Sequence, residues 1–132
     1  DCIKKKVIMS IDLCEKCPTL LNFLASWCGH CKSYKPLLQE LQRDEKSKTI
    51  PFHMIHFDDV EHKQVMKEFG ISGYPTLLVA IPPKLSGKSK YVVYQYQGQR
   101  TKEALLSTMN NVIHRKPHSM QVWATTPTYA TL

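Results

Sequence analysis

The residue pattern predicts an α/β domain in which a central mixed sheet of four to five strands is flanked by helices. Two features carry the expectation. Strand-length apolar runs alternate with helix-period stretches through the middle of the chain, an order that builds parallel strand pairs. Two later strands separated only by a polar turn then add an antiparallel edge. A chain of 132 residues holds one core of ordinary size, and two cores in that length would each be marginal. Residues 1–116 are read as that single domain and residues 117–132 as a C-terminal tail.

Each element has its own warrant. Lys5 to Ile11 is rich in Val, Ile and Met and alternates loosely, as a short strand does, before Asp12 to Pro18 breaks the pattern. Thr19 to Ala25 is almost continuously apolar and of strand length, which suggests burial on both faces and hence the central strand. From Gly29 to about Asp44, Tyr34, Leu37, Leu38 and Leu41 recur at spacings of three and four, an amphipathic helix. Pro36 lies inside it, where the missing N–H and the ring are expected to kink the helix. Pro51 to Phe57 reads as a strand, and Val60 to Phe69 as a short helix that Gly70 ends. Thr76 to Ile81 and Tyr91 to Tyr96 are the two later strands, joined across the polar turn region Pro82 to Ser89. Thr101 caps a last helix with Leu105, Met109, Val112 and Ile113 on one face, ending before Pro117. His118 to Leu132 shows no period.

At 42% hydrophobic and 22% charged residues the chain has the balance of a folded domain rather than a disordered one. No stretch approaches the roughly 18 uninterrupted apolar residues of a membrane span. Asn22 interrupts one apolar run and Pro82 and Pro83 stop another, so no membrane role is expected. The chain opens with Asp1 and shows no leader pattern, which suggests a processed or excised piece. Eighteen Lys+Arg against eleven Asp+Glu give a net charge of +7, which draws anionic partners by long-range field. The positives sit in Lys4 to Lys6, in Lys84, Lys88 and Lys90, and in His114 to Lys116, without the interleaved aromatic residues of a single-strand groove. The expectation is a well-solvated surface and not a nucleic-acid site.

Five cysteines stand at positions 2, 14, 17, 28 and 31, so four of them form two Cys-x-x-Cys pairs. Pairs so spaced in a chain of this size indicate redox chemistry or metal binding rather than a framework of structural bridges. Trp27-Cys28-Gly29-His30-Cys31-Lys32 follows the buried strand directly and opens the amphipathic helix. Unpaired backbone N–H groups and the positive end of the helix dipole favour an anion there. The pKa of Cys28 is therefore expected to fall below the free value of about 8.5, making Cys28 the nucleophile. Cys31, three residues on, shares its helical face at a spacing a disulfide can bridge, and is expected to resolve the mixed disulfide. His30 between them can carry positive charge or donate a hydrogen bond beside the thiolate, which stabilises the dithiol and makes the disulfide a better oxidant.

Trp27-Cys28-Gly29-His30-Cys31-Lys32, Pro36 eight residues after Cys28, and Gly73-Tyr74-Pro75-Thr76 ahead of a strand together resemble the thioredoxin fold, and specifically the catalytic domains of protein disulfide isomerases, over roughly Val7 to His114. The resemblance implies a thiol-disulfide oxidoreductase acting on protein or peptide thiols and disulfides, with glutathione or another thiol as redox partner and no cofactor. It implies that Pro75 follows a cis bond and faces the active pair, so that the backbone at Tyr74 pairs with a substrate strand. To Arg100, in Gly98-Gln99-Arg100, it assigns a part in stabilising charge at the second cysteine. One region departs from the family pattern. Six residues before the first cysteine these domains usually keep a buried acid, where this chain has Asn22, which cannot accept a proton. His56 stands where a lysine is common. Substrate release by Cys31 is then expected to be slower, or to depend on water, His56 or Arg100. The plainer reading makes Asn22 a cap at a sheet edge and His56 an ordinary strand residue.

Cys14-Glu15-Lys16-Cys17 precedes the central strand, and the four paired cysteines invite a zinc site. A strand from Thr19 to Ala25 at about 3.3 Å per residue sets the pairs roughly 20 Å apart, too far for one tetrahedral metal. No metal is expected, and Cys14–Cys17 is read as an independent disulfide or dithiol, either a structural bridge or a second redox relay. Two readings of other classes stand beside the enzyme: a non-enzymatic adaptor of the same fold, and a zinc module using Cys14, Cys17, Cys28 and Cys31. The histidine motif suggests an oxidising compartment such as the endoplasmic reticulum lumen or another secretory compartment. The lack of a Lys-Asp-Glu-Leu type signal leaves a cytosolic or viral setting open.

Overall fold

The computed structural model describes residues 5–8, 11–43, 52–87, 91–114 and 120–122. Strands β1 (Lys5–Ile8) and β2 (Ile11–Cys14) form an antiparallel hairpin of their own. The rest of the chain runs β3 (Thr19–Leu24), α1 (Gly29–Arg43), β4 (His53–Asp58), α2 (Lys63–Phe69), β5 (Thr76–Ile81), α3 (Pro83–Ser86), β6 (Val92–Tyr96), α4 (Lys102–Ile113) and β7 (Met120–Val122). The main sheet is mixed, with strand order β4-β3-β5-β6-β7. Strands β3 and β4 are parallel, Asn22 opposite His56, and the other pairings are antiparallel.

All six residues of β3 are buried. Leu20 and Leu24 pack with Tyr34 and Leu38 of α1 and with Leu105 and Met109 of α4. Leu21 and Phe23 pack instead with Val65, Met66 and Phe69 of α2. Successive strand side chains point to opposite faces, so α1 and α4 cover one face of the sheet and α2 the other. The Phe23 ring stacks on Phe57 at 4.9 Å and meets Phe69 at 5.4 Å. Each such side chain contributes about 1.5–3 kcal/mol relative to an exposed one. The helical period in α1 is realised as expected, with Tyr34, Leu38 and Leu41 buried and Leu37 half-buried; Pro36 lies in the helix interior. Gly70 takes the left-handed conformation (φ 64) that ends α2, its N–H donating to the Lys67 carbonyl at 3.1 Å.

Four details differ from the pattern-based expectation. Residues 12–14 continue a strand instead of breaking one. The polar turn region contains a single helical turn, α3, ended by Gly87. Within the segment read as a tail, Met120–Val122 pairs with β6; three residues are too few to show a period, and the free edge of β6 supplies their hydrogen-bond partners. Finally, β5 runs antiparallel to β3, so alternation yields one parallel pair only. The chain re-enters the sheet at the end where β4 left it. That reversal sets Thr76 opposite Phe23 and carries Tyr74 and Pro75 to the end of β3 from which α1 starts.

At the start of α4, the Thr101 hydroxyl oxygen accepts the Ala104 N–H at 3.1 Å. Thr101→Ala is expected to destabilise the domain by about 1 kcal/mol, measured as a lower denaturant midpoint at unchanged slope.

Candidate active site

Strand β3 ends at Leu24 and α1 begins at Gly29, and the turn between them is closed by the Cys28 N–H donating to the Ala25 carbonyl at 3.2 Å. Cys28 and Cys31 are both free thiols. Cys28 is 8% exposed and Cys31 2%, so both are buried and the first is the less enclosed. The two sulfurs are also driven apart electrically. The Cys31 thiol, followed by the backbone N–H groups of Cys31 and His30 and the Arg100 charge, holds the Cys28 thiol below its ordinary pKa against some loss of hydration. Burial raises Cys31, and its acceptance of the Ala25 N–H at 3.4 Å only partly offsets this. The exposed His30 side chain is absent from this balance; what His30 gives Cys28 is its backbone N–H.

Residues from three other segments surround the pair. The Tyr74–Pro75 peptide bond is cis, and the Tyr74 carbonyl lies 3.5 Å from the Cys28 sulfur as acceptor for its thiol. Arg100, exposed in the loop between β6 and α4, lies near enough for its charge to favour both thiolates. It shares with Pro75, Gln95, Gln97 and Gln99 the wall of a cavity of about 390 Å³. Gly98 in that loop has no space for a side chain, since a Cβ there would meet the Tyr96 hydroxyl at 2.5 Å. Gly29, by contrast, has open space around it. Trp27 is 69% exposed beside Cys28, its ring edge-on to Tyr74 at 5.6 Å.

Asp59 holds that tryptophan in place. Its carboxylate accepts from the Trp27 indole N–H at 2.9 Å and from the Ser26 N–H at 3.3 Å. The sequence reading missed Asp59; its only local signal is the Asp58-Asp59 pair at the end of an apolar strand.

In the centre of β3, the completely buried Asn22 accepts from the Tyr34 hydroxyl at 3.2 Å and places its amide nitrogen 3.3 Å from Nδ1 of His56. Asn22 is no sheet-edge cap, because β3 lies between β4 and β5. His56 is held below the ordinary histidine pKa, first by burial and then by the Lys35 charge. A cavity of about 290 Å³ is lined by Cys31, Lys32, Lys35, His56 and Asp58.

A family model described as Thioredoxin matches residues 5–111. The chain belongs to the thioredoxin family. It is homologous to the catalytic domains of protein disulfide isomerases. Protein disulfide isomerase-like 2-1 of Oryza sativa subsp. japonica is 40% identical over 93 residues, 70% of this chain and 23% of that protein. Protein disulfide-isomerase TMX3 of Homo sapiens is 33% identical over 93 residues, again 70% of this chain but 19% of the relative. The chain thus spans a quarter or less of the length of these relatives. Among solved structures, the first thioredoxin domain of mouse protein disulfide-isomerase A4 superposes with TM-score 0.57 at 29% identity, over 75% of this chain and 65% of that one. The Trx4 domain of ERdj5 matches over 83% of this chain and 87% of that one, with TM-score 0.61 at 21% identity.

The second cysteine pair lies at the other end of β3 from the thioredoxin motif. The sulfurs of Cys14 and Cys17 are 2.9 Å apart, and the Lys16 and Cys17 N–H groups point at the Cys14 sulfur at 3.4 and 3.2 Å. With the two pairs at opposite ends of a six-residue strand, the four sulfurs do not converge on one metal, which removes the zinc-module alternative. Asp58, Glu61 and His62 approach within 4.8 Å of one another. The Asp58 carboxylate is taken up by the N–H groups of Val60 and Glu61, and the Asp58 N–H donates to His62 Nδ1, so these residues close a turn and are not assigned to a metal. Among the described residues no helix is long and apolar enough to cross a membrane.

Titration of the reduced domain by thiolate absorbance is expected to show two transitions. The one below the ordinary cysteine range disappears in Cys28→Ser, and the one above it disappears in Cys31→Ser. Because the Cys31 thiol is the largest influence on Cys28 and Arg100 a smaller one, Cys31→Ala raises the Cys28 transition more than Arg100→Gln does.

Proposed function

We propose that this domain is a thiol-disulfide oxidoreductase of the protein disulfide isomerase type, exchanging disulfides with protein or peptide substrates through the Cys28–Cys31 couple. The observation that carries this reading is a thiol pair one turn apart at a helix start, its first sulfur 3.5 Å from the carbonyl that precedes a cis proline, with that sulfur favoured as thiolate and the more deeply buried one favoured as thiol. The Cys28 thiolate attacks one sulfur of a substrate disulfide. The substrate S–S bond breaks, its other sulfur leaves with the electron pair as a thiolate, and Cys28 is joined to the substrate. Cys31, once deprotonated, attacks the Cys28 sulfur. The Cys28–Cys31 bond forms, the mixed disulfide breaks, and the second substrate sulfur leaves as a thiolate. Two electrons pass from the domain to the substrate, and the same steps run backward when the domain oxidises a dithiol. Glutathione or another thiol resets the couple.

The Tyr74 carbonyl and the exposed Trp27, fixed by Asp59, supply the docking edge beside Cys28. An extended substrate segment lies there with its cysteine against Cys28. The stabilised thiolate favours the dithiol over the disulfide, the direction of an oxidant or isomerase. An oxidising secretory lumen is the setting in which such a couple works as one.

Cys28→Ser is expected to abolish turnover in insulin reduction and in reactivation of scrambled ribonuclease, while Cys31→Ser still reacts once and accumulates a mixed disulfide. A Cys28→Ser chain that keeps its turnover would refute the reading, and an unsubstituted domain without turnover whose partner binding is unchanged in Cys28→Ser would mark an adaptor. His30→Pro is expected to make the couple more reducing, by a fraction of the ~90 mV between the reference values for protein disulfide isomerase and thioredoxin. Equilibration with glutathione measures this, and no shift would remove His30 from the mechanism.

A further inference from the structure

The release step contains an unsolved proton. Cys31 is buried, and burial keeps it as a thiol, yet it must lose that proton before it can attack Cys28. Asn22, fully buried and bonded to Tyr34 of the same helix as Cys31, has no proton-accepting group. Tyr34, whose phenol burial drives far above its ordinary range, remains a donor. Among the cavity residues, Lys32 and Lys35 offer donors, and the N–H groups of Glu61 and Val60 hold the Asp58 carboxyl below its ordinary range, so that it is a weaker base than an imidazole. His56 is the remaining base, and it lines the same cavity of about 290 Å³ as Cys31. That volume has room for several waters at roughly 30 Å³ each.

We infer that His56 takes the proton of Cys31 in the release step, through water in the cavity the two residues share, and that Asn22 positions the His56 ring. This rests on the oxidoreductase reading above. Parallel pairing of β3 with β4 sets Asn22 opposite His56, with the amide nitrogen 3.3 Å from Nδ1. An amide has a donor end and an acceptor end, so rotation about its Cβ–Cγ bond lets it partner Nδ1 in either state. With its nitrogen toward the ring it donates to a bare Nδ1. With its oxygen toward the ring it accepts from Nδ1–H, and the Tyr34 oxygen accepts from the amide in turn, which leaves Nε2 to take up a proton. The step balances as follows. The Cys31 proton passes by water to Nε2 and makes an imidazolium, the Cys31 thiolate bonds to Cys28, and the substrate sulfur leaves with the electron pair of the broken bond. His56 then returns its proton to water. The ring is suited to this because burial and the Lys35 charge keep it neutral down to a lower pH than a free histidine. Protonated His56 cannot accept, so release slows as pH falls through the His56 pKa.

The test separates the two chemical steps in the full chain. Mixed-disulfide formation is timed with a disulfide-bonded peptide in the Cys31→Ser background, and peptide release is timed with both cysteines present, each across a pH series. His56→Gln is expected to slow release at neutral pH roughly 100-fold, the lower end of what general bases contribute, and to erase the acidic inflection of the release profile. Mixed-disulfide formation in His56→Gln, Cys31→Ser is expected to match that of Cys31→Ser. Adding Asn22→Asp to His56→Gln returns a proton acceptor to the same buried place and is expected to restore release. In the unsubstituted chain, the His56 ring resonance is expected to titrate at the pH of the release inflection, a check that needs no variant to fold. Unchanged release in His56→Gln, equal slowing of both steps, or a ring titration away from the inflection would overturn the role of His56. Failure of Cys28 to form any mixed disulfide would overturn the oxidoreductase reading itself, and this inference with it.

Discussion

A strand with no exposed residue must be covered on both faces, and the rest of this domain follows from how β3 is covered. Its alternate side chains demand α1 and α4 on one side and α2 on the other. A parallel neighbour and an antiparallel neighbour complete its hydrogen bonding. Because the chain leaves β3 straight into α1, the first thiol of the motif arrives where a helix exposes its unpaired N–H groups. Because β5 runs antiparallel to β3, it starts at that same end and brings Tyr74 and Pro75 against the sulfur. The site is a consequence of where the central strand stops.

Two chemically identical side chains one helical turn apart become different reagents through position alone. Cys28 stands at the rim, with donors around it and Arg100 within electrostatic reach; Cys31 faces the core. The two effects reinforce each other, since a neutral Cys31 is itself the strongest donor to the Cys28 sulfur. Trp27 shows a parallel economy. A large indole left 69% exposed is kept in one orientation by a carboxylate and an aromatic edge, so an apolar surface is ready beside the thiolate without an ordering step at each encounter.

The interior behind Cys31 carries an amide, an imidazole and a phenol bonded in series. A buried polar group is tolerated when its hydrogen bonds are made, and here Asn22 makes one at each end. At the other end of β3, Cys14 and Cys17 are both buried with their sulfurs in contact, and the Tyr91 hydroxyl donates to the Cys14 carbonyl at 3.0 Å. The β1–β2 hairpin is thereby tied to the residue that leads into β6, a connection that the main sheet does not provide.

Local pattern was enough for the alternation of elements, the burial of Thr19 to Leu24, the ends of α2 at Gly70 and of α4 at Thr101, and the thiol pair at a helix start. Each depends on residues within a few positions of one another, where period, capping chemistry and turn propensity act directly. The direction of β5, the pairing of Met120–Val122 with β6, the Asp59 hold on Trp27 and the contact between Asn22 and His56 were invisible there. Those features join residues from 24 to 61 positions apart. The sequence alone determined which sulfur could be an anion. Only the tertiary structure decided what surrounds each sulfur, because charge, burial and proton acceptors act through space and not along the chain.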